Sequence, residues 1–272
     1  MNIIPISSFP KSGNTWLRFL IGNVIKQNVE LTYSNISSVI PADWSVLERL
    51  DISNFNSNGA AFIKEHSQYN EHFAGKVSGA IYVIRNGFDV LSSYFEFIQA
   101  QAPGLYKNIE DFSEEYWYNF GTWGEHANSW INHCSESKPV VVIKYEDLLS
   151  DPFNEVKKIM RFFKIDCSDE VIKRAVQKSS SKEMKKFKDS SLFMNSKIET
   201  YNFVNKATSD RNQNIGSAIK KEFMNDPLNY IFLKKYYPES LNGYVPTKIK
   251  KYKPKFLISL KRKVLYKFGI IK

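Results

Sequence analysis

The sequence predicts a single α/β domain with a central parallel sheet flanked by helices, and a phosphate-binding loop after the first strand. Three observations support this prediction. The chain has 272 residues and is 43% hydrophobic, enough for one sizeable core. Short apolar runs alternate with helical patterns, as in sheets whose two faces are both covered by helices. The unusual polar residues follow the carboxyl ends of those runs, where ligands of such sheets bind.

Four segments are predicted to be strands because each is short, nearly continuous in apolar character and rich in β-branched residues. In chain order they are "NIIPISS" (2–8), "AAFIK" (60–64), "AIYVIR" (80–85) and "PVVVIKY" (139–145). A run without polar alternation is typical of a strand buried on both faces. We therefore expect these four segments to form the parallel sheet.

Helical patterns follow three of the strands, at 14–27, 89–101 and 151–165. In the first, apolar residues recur at spacings of three and four, which is the period of an amphipathic helix. The third begins with Asp151 and Pro152, a cap residue followed by proline at the first helical position. The chain has no internal repeat or Gly/Ser linker, so we predict one domain over 1–247, followed by a basic tail or helix at 248–272.

The formal charge of +10 is suited to a polyanionic partner: nucleic acid, an anionic membrane surface or a multiply phosphorylated cofactor. Segment 248–272 carries many lysines and no acidic residue, which fits a solvated tail or weak association with a membrane surface. Neither a signal peptide nor a run of roughly 18 apolar residues is evident. The two cysteines match no disulfide framework or zinc motif. These features predict a cytoplasmic protein.

The segment "FPKSGNTWL" (9–17) joins the first strand to the first helix and has the features of an anion site. Backbone N–H groups from Ser12 to Thr15 lie at a helix N-terminus, Gly13 allows a close approach of the backbone, and Lys11 adds a mobile charge. The Walker A pattern is absent, because here the lysine precedes the glycine. The alternative interpretation is an ordinary strand–helix turn with a surface lysine.

Two further segments bring polar residues to the same edge of the sheet. "RNGFDVLSSYF" places Arg85 at a strand end and Ser93 eight residues later, so that both side chains could bind one phosphate. "KYEDLLSDP" brings Tyr145 to that edge together with two carboxylates, Glu146 and Asp147. The carboxylates could supply a base, but bracing of the turn is the interpretation that we favour.

Taken in order, these segments resemble the sulfotransferases that use 3′-phosphoadenosine-5′-phosphosulfate (PAPS). "FPKSGNTWL" resembles that family's 5′-phosphosulfate loop, "RNGFDVLSSYF" its 3′-phosphate motif and "KYEDLLSDP" its tyrosine-bearing strand and turn. "RNQNIG" (211–216) is similar to its late Arg-Lys-Gly loop. The resemblance extends from about residue 3 to about residue 225 and implies a PAPS-dependent sulfotransferase without a metal requirement.

The resemblance also implies roles for individual residues. Lys11 would stabilise the leaving phosphate oxygen, and Ser93 would act beside it. In the Lys-x-His pattern of "IKEH", His66 would be the general base and Lys64 would assist. Trp16 either stacks on adenine or belongs to the core. The residues implied to bind PAPS are Lys11, Ser12, Gly13, Asn14, Thr15, Trp16, Arg85, Ser93, Tyr145, Ser179, Arg211 and Gly216.

The sequence departs from the family pattern at three places. Asn14 replaces a threonine that is usual in the loop, which removes one hydroxyl contact. Ser181 stands where many members have an adenine-stacking phenylalanine. The segment "RNQNIG" lacks the usual Lys-Gly after Arg211.

The expected acceptor is a small molecule or a carbohydrate with a hydroxyl or amine, and the sequence leaves its identity and the oligomeric state open. Segments 30–58 and 98–130 should form the acceptor walls. Their aromatic residues are Tyr33, Trp44, Phe55, Tyr106, Tyr116, Trp117, Tyr118 and Trp123.

The alternatives are a P-loop-type kinase, which would need a Walker A lysine, and a basic nucleic-acid-binding protein. No nucleic-acid motif is present, so we expect no nucleic-acid partner.

Overall fold

The protein is described here from a computed structural model that covers residues 2–45, 59–114, 120–186 and 215–246. Four parallel strands form one sheet in the order β2-β1-β3-β4. Their bounds are Asn2–Ser7 for β1, Ala60–Glu65 for β2, Ala80–Ile84 for β3 and Val140–Lys144 for β4. In the register, Ile6 lies opposite both Lys64 and Ile81. The predicted α/β fold with a central parallel sheet is confirmed, including all four strands.

Both faces of the sheet are covered, which explains the continuous apolar character of its strands. Successive side chains of a strand point to opposite faces. Ile81 and Val83 of β3 pack in one core, whereas Tyr82 and Ile84 of the same strand pack in another. All five residues of β3 are buried. The alternation of β3 therefore divides the apolar interior into two cores, one on each side of the sheet.

The three predicted helices are present, with small shifts at their ends. They are α1 (Asn14–Ile25), α3 (Gly87–Gln101) and α7 (Pro152–Phe162). Helix α3 begins two residues earlier than predicted because the side chain of Asn86 accepts a hydrogen bond from Phe88 N at 3.0 Å and caps it. Asp151 caps α7 in the same way, accepting from Asn154 N at 3.1 Å.

Shorter helices occupy the connections between these elements. They are α2 (Glu71–Ala74), α4 (Ile109–Ser113), α5 (Trp123–Asn128), α6 (Tyr145–Ser150), α8 (Asp169–Lys178), α9 (Ser181–Met184), α10 (Ser217–Asn225) and α11 (Pro227–Tyr236). Helix α5 continues into a π-helical turn, Ser129–His133, and a 3₁₀ turn, Cys134–Glu136. Two more 3₁₀ turns lie at Ile36–Ser38 and Pro238–Leu241.

One strand end differs from the prediction. Tyr145 was expected to end the fourth strand, but the ladder between β3 and β4 stops at the pair Ile84 and Lys144. Tyr145 is instead the first residue of α6. The strand ends there because its neighbour β3 has already turned away at Arg85 and Asn86 to start α3.

Several predictions fall outside the described ranges. Arg211, the predicted boundary at 247 and the basic segment 248–272 are among them. The division into a domain and a basic tail therefore stays a prediction. Within the described ranges, no helix combines the length and the apolar character needed to cross a membrane.

Candidate active site

The chemistry-bearing residues meet at the carboxyl edge of the sheet. The loop after β1 carries Lys11, the turn after β2 carries His66, and Arg85 and Tyr145 follow β3 and β4. Parallel strands bring their carboxyl ends to the same edge, which is why residues so far apart in sequence become neighbours. The site is built upward from the first of these loops.

The loop between β1 and α1 requires glycine at position 13 for two reasons. Gly13 has a φ of +99°, in the left-handed region, and Lys11 before it has a φ of +69°. A Cβ atom on Gly13 would also lie 2.5 Å from Cδ2 of Tyr145. Alternation of right- and left-handed backbone turns successive N–H groups toward one side and forms a concave anion-binding surface. Because Gly13 has no Cβ atom, the ring of Tyr145 can pack directly against that surface.

Buried polar atoms in this loop fit a polar ligand. Within the described residues, Oγ of Ser12 and Oδ1 of Asn14 are buried and have no hydrogen-bond partner. Both lie at the N-terminus of α1, a twelve-residue helix with no acidic residue in its first turn. The Ser12 hydroxyl can donate to an oxygen of a bound group such as a phosphate, whereas Oδ1 of Asn14 only accepts and requires an N–H or O–H donor of the ligand.

Asn14 has a structural role that the sequence did not reveal. Its Nδ2 donates to the carbonyl oxygen of Ile6 at 2.7 Å and to that of Glu65 at 3.4 Å. The side chain therefore ties the phosphate loop to the carboxyl ends of β1 and β2. The residue that replaces a threonine in the family pattern is the one that links the two strands.

Arg85 is held against the same loop. Its Nη1 donates to the carbonyl oxygen of Lys11 at 3.2 Å, and its Cζ lies 4.6 Å from the centre of the Tyr145 ring. Nη2 lies 3.9 Å from Oδ2 of Asp89. Ser93 is buried two turns into α3. The guanidinium is therefore placed before any ligand binds, as its predicted role in binding phosphate requires.

Trp16 lies at the rim of the site and also contacts the core, so it packs as the core interpretation predicts, and its stacking on adenine stays a prediction. Its Nε1 donates to the carbonyl oxygen of Ser179 at 2.9 Å, and its ring meets that of Tyr145 edge to face at 6.3 Å. It packs partly buried against the core on the α1 side of the sheet. Oγ of Ser179 accepts from Nδ2 of Asn23 at 3.0 Å. Trp16, Tyr145 and Ser179 thus form one aromatic and polar rim beside the loop.

His66 lies next to the phosphate loop, with a defined tautomer. Its Nδ1 is 2.8 Å from the carbonyl oxygen of Ser8. Because a carbonyl oxygen only accepts, Nδ1 carries the proton and Nε2 is the unprotonated nitrogen. Burial, reinforced by the charges of Lys64 and Lys11, lowers the pKa of His66 well below 6.5, against the effect of the Ser8 hydrogen bond. The ring is therefore neutral at pH 7, as a general base must be.

A buried histidine, His126, supports the turn that carries His66. Nε2 of His126 donates to the carbonyl oxygen of His66 at 2.9 Å, and the Tyr82 hydroxyl donates to Nδ1 of His126 at 2.9 Å. Burial lowers the pKa of His126 to about 4, so this ring is also neutral. No local pattern predicts this pair, because Tyr82 lies within an apolar strand and His126 within an ordinary helix.

Glu146 braces the turn after β3, as the favoured interpretation of the sequence had it. Its Oε1 accepts from Asn86 N at 3.3 Å, and its Oε2 accepts from the Tyr237 hydroxyl at 2.8 Å. Burial and the neighbouring Glu146 charge raise the pKa of Tyr237 well above 10. The carboxylate thus connects the Arg85 turn to the C-terminal part of the described fold.

The remaining predicted site residues occupy the periphery. Lys64 is half-buried on β2, and Thr15 is half-buried in the first turn of α1. Gly216 is the residue that precedes α10. Ser181, at the position of the family phenylalanine, begins the short helix α9. Among the described residues, no group of three or more His, Cys, Asp or Glu side chains is arranged to hold a metal ion.

The prediction of the acceptor walls is wrong for Tyr33, which packs edge to face on Phe19 in the core on the α1 side of the sheet. Tyr106 and Trp123 are buried in the core on the α3 side. Trp44 is half-buried, and the other four aromatics lie outside the described ranges. Periodicity and composition cannot distinguish a core aromatic from one that lines a pocket, which explains the error.

Other aromatic rings, which the sequence analysis missed, surround the candidate base. Phe120 lies 6.5 Å from the His66 ring, and Phe9 lies 6.2 Å from Phe120. Nζ of Lys11 lies 4.3 Å from the centre of the Phe97 ring. Phe120 beside His66 and Phe97 beside Lys11 thus bring apolar rings to the two candidate catalytic residues.

Comparisons with known proteins were made at the level of sequence and of fold. The family model of the sulfotransferase domain matches residues 3–231. Sulfotransferase 1 family member D1 of Rattus norvegicus is 28% identical over 201 residues, which is 67% of this chain and 65% of that relative. Sulfotransferase 1B1 of Mus musculus is 29% identical over 198 residues, with the same shares. The match thus spans 65% of the length of these curated relatives.

Two solved structures share the fold. Mouse sulfotransferase SULT7A1 complexed with PAP has a TM-score of 0.54 at 23% identity, and the match covers 89% of this chain and 85% of that one. Retinol dehydratase in complex with androsterone and inactive cofactor PAP has a TM-score of 0.56 at 17% identity, covering 92% and 82%. At these identities the similarity establishes the architecture alone.

Proposed function

This chain belongs to the sulfotransferase family, and on that premise we propose that it transfers the sulfuryl group of PAPS to a hydroxyl or amine of a small-molecule or glycan acceptor. His66 is the general base, and Lys11 stabilises the leaving phosphate oxygen. Ser93 and Lys64 assist from α3 and β2. The curated sulfotransferases and the PAP complexes of similar fold support this assignment.

The observation that carries the proposal is the hydrogen bond between His66 and Ser8, with Nδ1 and the carbonyl oxygen 2.8 Å apart. Ser8 precedes Lys11 by three residues in the phosphate loop. The candidate base is therefore fixed to the same loop that carries the candidate charge-stabilising lysine. Transfer between two bound molecules requires this proximity, because the group in transit must meet both residues.

The phosphate loop and its rim supply the groups that would hold PAPS, which provides the activated sulfuryl group when bound. The N–H groups from Ser12 to Thr15, with the orphaned hydroxyl of Ser12, suit the 5′-phosphate. Arg85 and Ser93 suit the 3′-phosphate. The rings of Trp16 and Tyr145 suit adenine, and the resemblance to the family adds Ser179, Gly216 and Arg211 to the set.

His66 accepts the proton of the acceptor at Nε2. Its lowered pKa keeps Nε2 unprotonated at pH 7, and its Nδ1–H group continues to donate to the Ser8 carbonyl oxygen. General base catalysis of this kind contributes typically about 10²- to 10⁴-fold to the rate. The ammonium group of Lys11 offsets negative charge that develops on the leaving oxygen, and Lys64 adds positive charge on the same side.

The acceptor would bind beside the apolar rings of the site. The half-buried rings of Phe97 and Phe120 lie near Lys11 and His66, respectively. Flat apolar molecules such as a phenol or a steroid-like alcohol suit these rings, as does the apolar face of a sugar ring. Retinol dehydratase, of similar fold, has been solved with retinol and PAP and with androsterone and PAP.

The test is sulfuryl transfer from labelled PAPS to a panel of phenols, alcohols, amines and sugars, without added metal. We expect turnover with at least one acceptor, and a loss of about 10²-fold or more in kcat for His66→Ala and for Lys11→Ala. Binding of adenosine 3′,5′-bisphosphate should persist in the His66→Ala variant. Transfer that is unaffected by His66→Ala would refute the assignment of the base.

A further inference from the structure

Glu65 is a buried carboxylate that lies in the sequence between two of the residues assigned to catalysis, Lys64 and His66. Its side chain ends β2 and is 8% exposed. Oε1 accepts from His66 N at 2.7 Å and from Ser67 N at 2.6 Å, and Oε2 accepts from Nε1 of Trp44 at 2.5 Å. A buried carboxylate is stable only when hydrogen bonds replace its lost water, so these three donors and the carboxylate hold one another in place.

The main chain of His66 is consequently fixed on both sides. Its N–H group donates to Glu65, and its carbonyl oxygen accepts from Nε2 of His126 at 2.9 Å. The ring itself is fixed at Nδ1 by the carbonyl oxygen of Ser8. These contacts come from β2, α5 and the phosphate loop. Of these three contacts, only the one with Glu65 involves a carboxylate. Its Oε1 accepts short hydrogen bonds from two consecutive main-chain amides, those of His66 and Ser67.

We propose that Glu65 is the positioning residue of the general base, and that the indole N–H of Trp44 holds its carboxylate in place. Glu65 fixes the turn at His66 and Ser67, so that the imidazole reaches the Ser8 carbonyl and presents Nε2 to the acceptor. The inference rests on the proposed function of His66 and extends it to a side chain that does not touch the reacting atoms.

Glu65→Gln is the informative substitution because it keeps the size of the side chain and replaces one of its two acceptor oxygens by an NH₂ group. A glutamine has one oxygen and one NH₂ group, whereas the groups around position 65 are all donors. The NH₂ group must therefore face either the two amides or the indole N–H. In either orientation at least one donor meets another donor, and the turn shifts.

The matched control is Asp226→Asn, which makes the same carboxylate-to-amide change at another buried main-chain cap. Oδ1 of Asp226 accepts from Asn229 N at 2.8 Å at the start of α11. We expect kcat of Glu65→Gln to fall between about tenfold and about 100-fold, with the affinity for adenosine 3′,5′-bisphosphate unchanged. Asp226→Asn should retain the wild-type kcat.

Trp44→Phe tests whether Trp44 holds the Glu65 carboxylate in place. It also tests the positioning role of Glu65 if the Glu65→Gln variant does not fold. This variant removes only the indole donor and keeps both amide bonds to Glu65. We expect a smaller fall in kcat at saturating acceptor, again without loss of bisphosphate affinity. An unchanged kcat in Trp44→Phe, or in a folded Glu65→Gln, would overturn the proposal. So would a fall in kcat matched by an equal loss of bisphosphate affinity.

A spectroscopic measurement separates this proposal from the proposed function. Two-bond ¹H–¹⁵N correlation spectra report the tautomer of each of the four histidines, with His66 assigned from His66→Ala. We expect the Nδ1–H form in the wild type and a mixture of tautomers in Glu65→Gln. A pure Nδ1–H form in Glu65→Gln would overturn the positioning role. A wild-type protein with the expected tautomer but no transfer would instead refute the proposed function.

Discussion

The substitution Gly13→Ala tests the packing of the phosphate loop, because two independent costs meet at that position. A non-glycine residue at a φ of +99° is strained, by about 1–2 kcal/mol for a left-handed conformation. The new Cβ would also lie 2.5 Å from Cδ2 and 2.9 Å from Cε2 of Tyr145. Overpacking of this kind costs about 1–3 kcal/mol. The expected total is a loss of about 2–5 kcal/mol in the free energy of unfolding.

Gly104→Ala separates the two costs. Gly104 has a φ of +78°, and a Cβ there would meet nothing within 4 Å. This control carries the backbone strain without the clash, so the difference between the two variants measures the contact with Tyr145. The ring of Tyr145 is half-buried, so in Gly13→Ala it can move away, and Arg85 then loses the ring over which it lies.

Chemical denaturation and calorimetric titration with adenosine 3′,5′-bisphosphate provide the two measurements. We expect Gly13→Ala to be less stable than Gly104→Ala by about 1–3 kcal/mol and to bind the bisphosphate more weakly. Gly104→Ala should bind it as the wild type does. Adding Tyr145→Ala to Gly13→Ala should recover the part of the stability loss that comes from the clash. Equal stability of the two glycine variants, together with unchanged binding in Gly13→Ala, would refute this account of the loop.

Three further predictions follow from the site. Arg85→Ala should weaken binding of adenosine 3′,5′-bisphosphate by about tenfold or more in calorimetry and leave AMP affinity unchanged; equal losses for both would exclude a 3′-phosphate role. Because the pKa of His66 lies well below 6.5, kcat/KM should be flat from pH 6.5 to pH 8 and fall only at more acidic pH; an acid limb centred near pH 6.5 or above would contradict the neutral, buried base. His126 is buried and neutral, with a pKa of about 4 against 6.5 in the unfolded chain. As the pH falls, the unfolded state therefore binds a proton at a higher pH than the folded state does. The free energy of unfolding should therefore fall by about 3 kcal/mol between pH 6.5 and pH 4 on account of His126 alone, and this slope should be smaller in His126→Gln.

The sheet and the phosphate loop could be predicted from the sequence because their signals are local. A buried strand appears as a continuous apolar run, and the Lys-Ser-Gly-Asn-Thr turn lies within a few residues of both its strand and its helix. The approach of Arg85, Tyr145 and His66 to that turn followed from the rule that parallel strands bring their carboxyl ends together. These parts of the site needed no knowledge of distant contacts.

The supporting contacts could not be predicted, because their partners lie far apart in the sequence. In the sequence, Glu65 does not differ from any other charged residue at a strand end. Its hydrogen bond to Trp44 joins residues that are 21 positions apart. The bond between Tyr82 and His126 spans 44. The sequence predicts Tyr33 to be a wall residue because an aromatic side chain gives the same signal in a pocket and in a core. Tertiary packing decides between those outcomes, and no local pattern records it.

The most direct test of the central claim is calorimetric titration of the purified protein with adenosine 3′,5′-bisphosphate, with AMP and Mg·ATP as controls. The account predicts selective binding of the bisphosphate without metal, because the loop at Gly13 and the guanidinium of Arg85 suit two separate phosphates. Absence of binding, or preference for Mg·ATP, would contradict the assignment of a PAPS-dependent sulfotransferase.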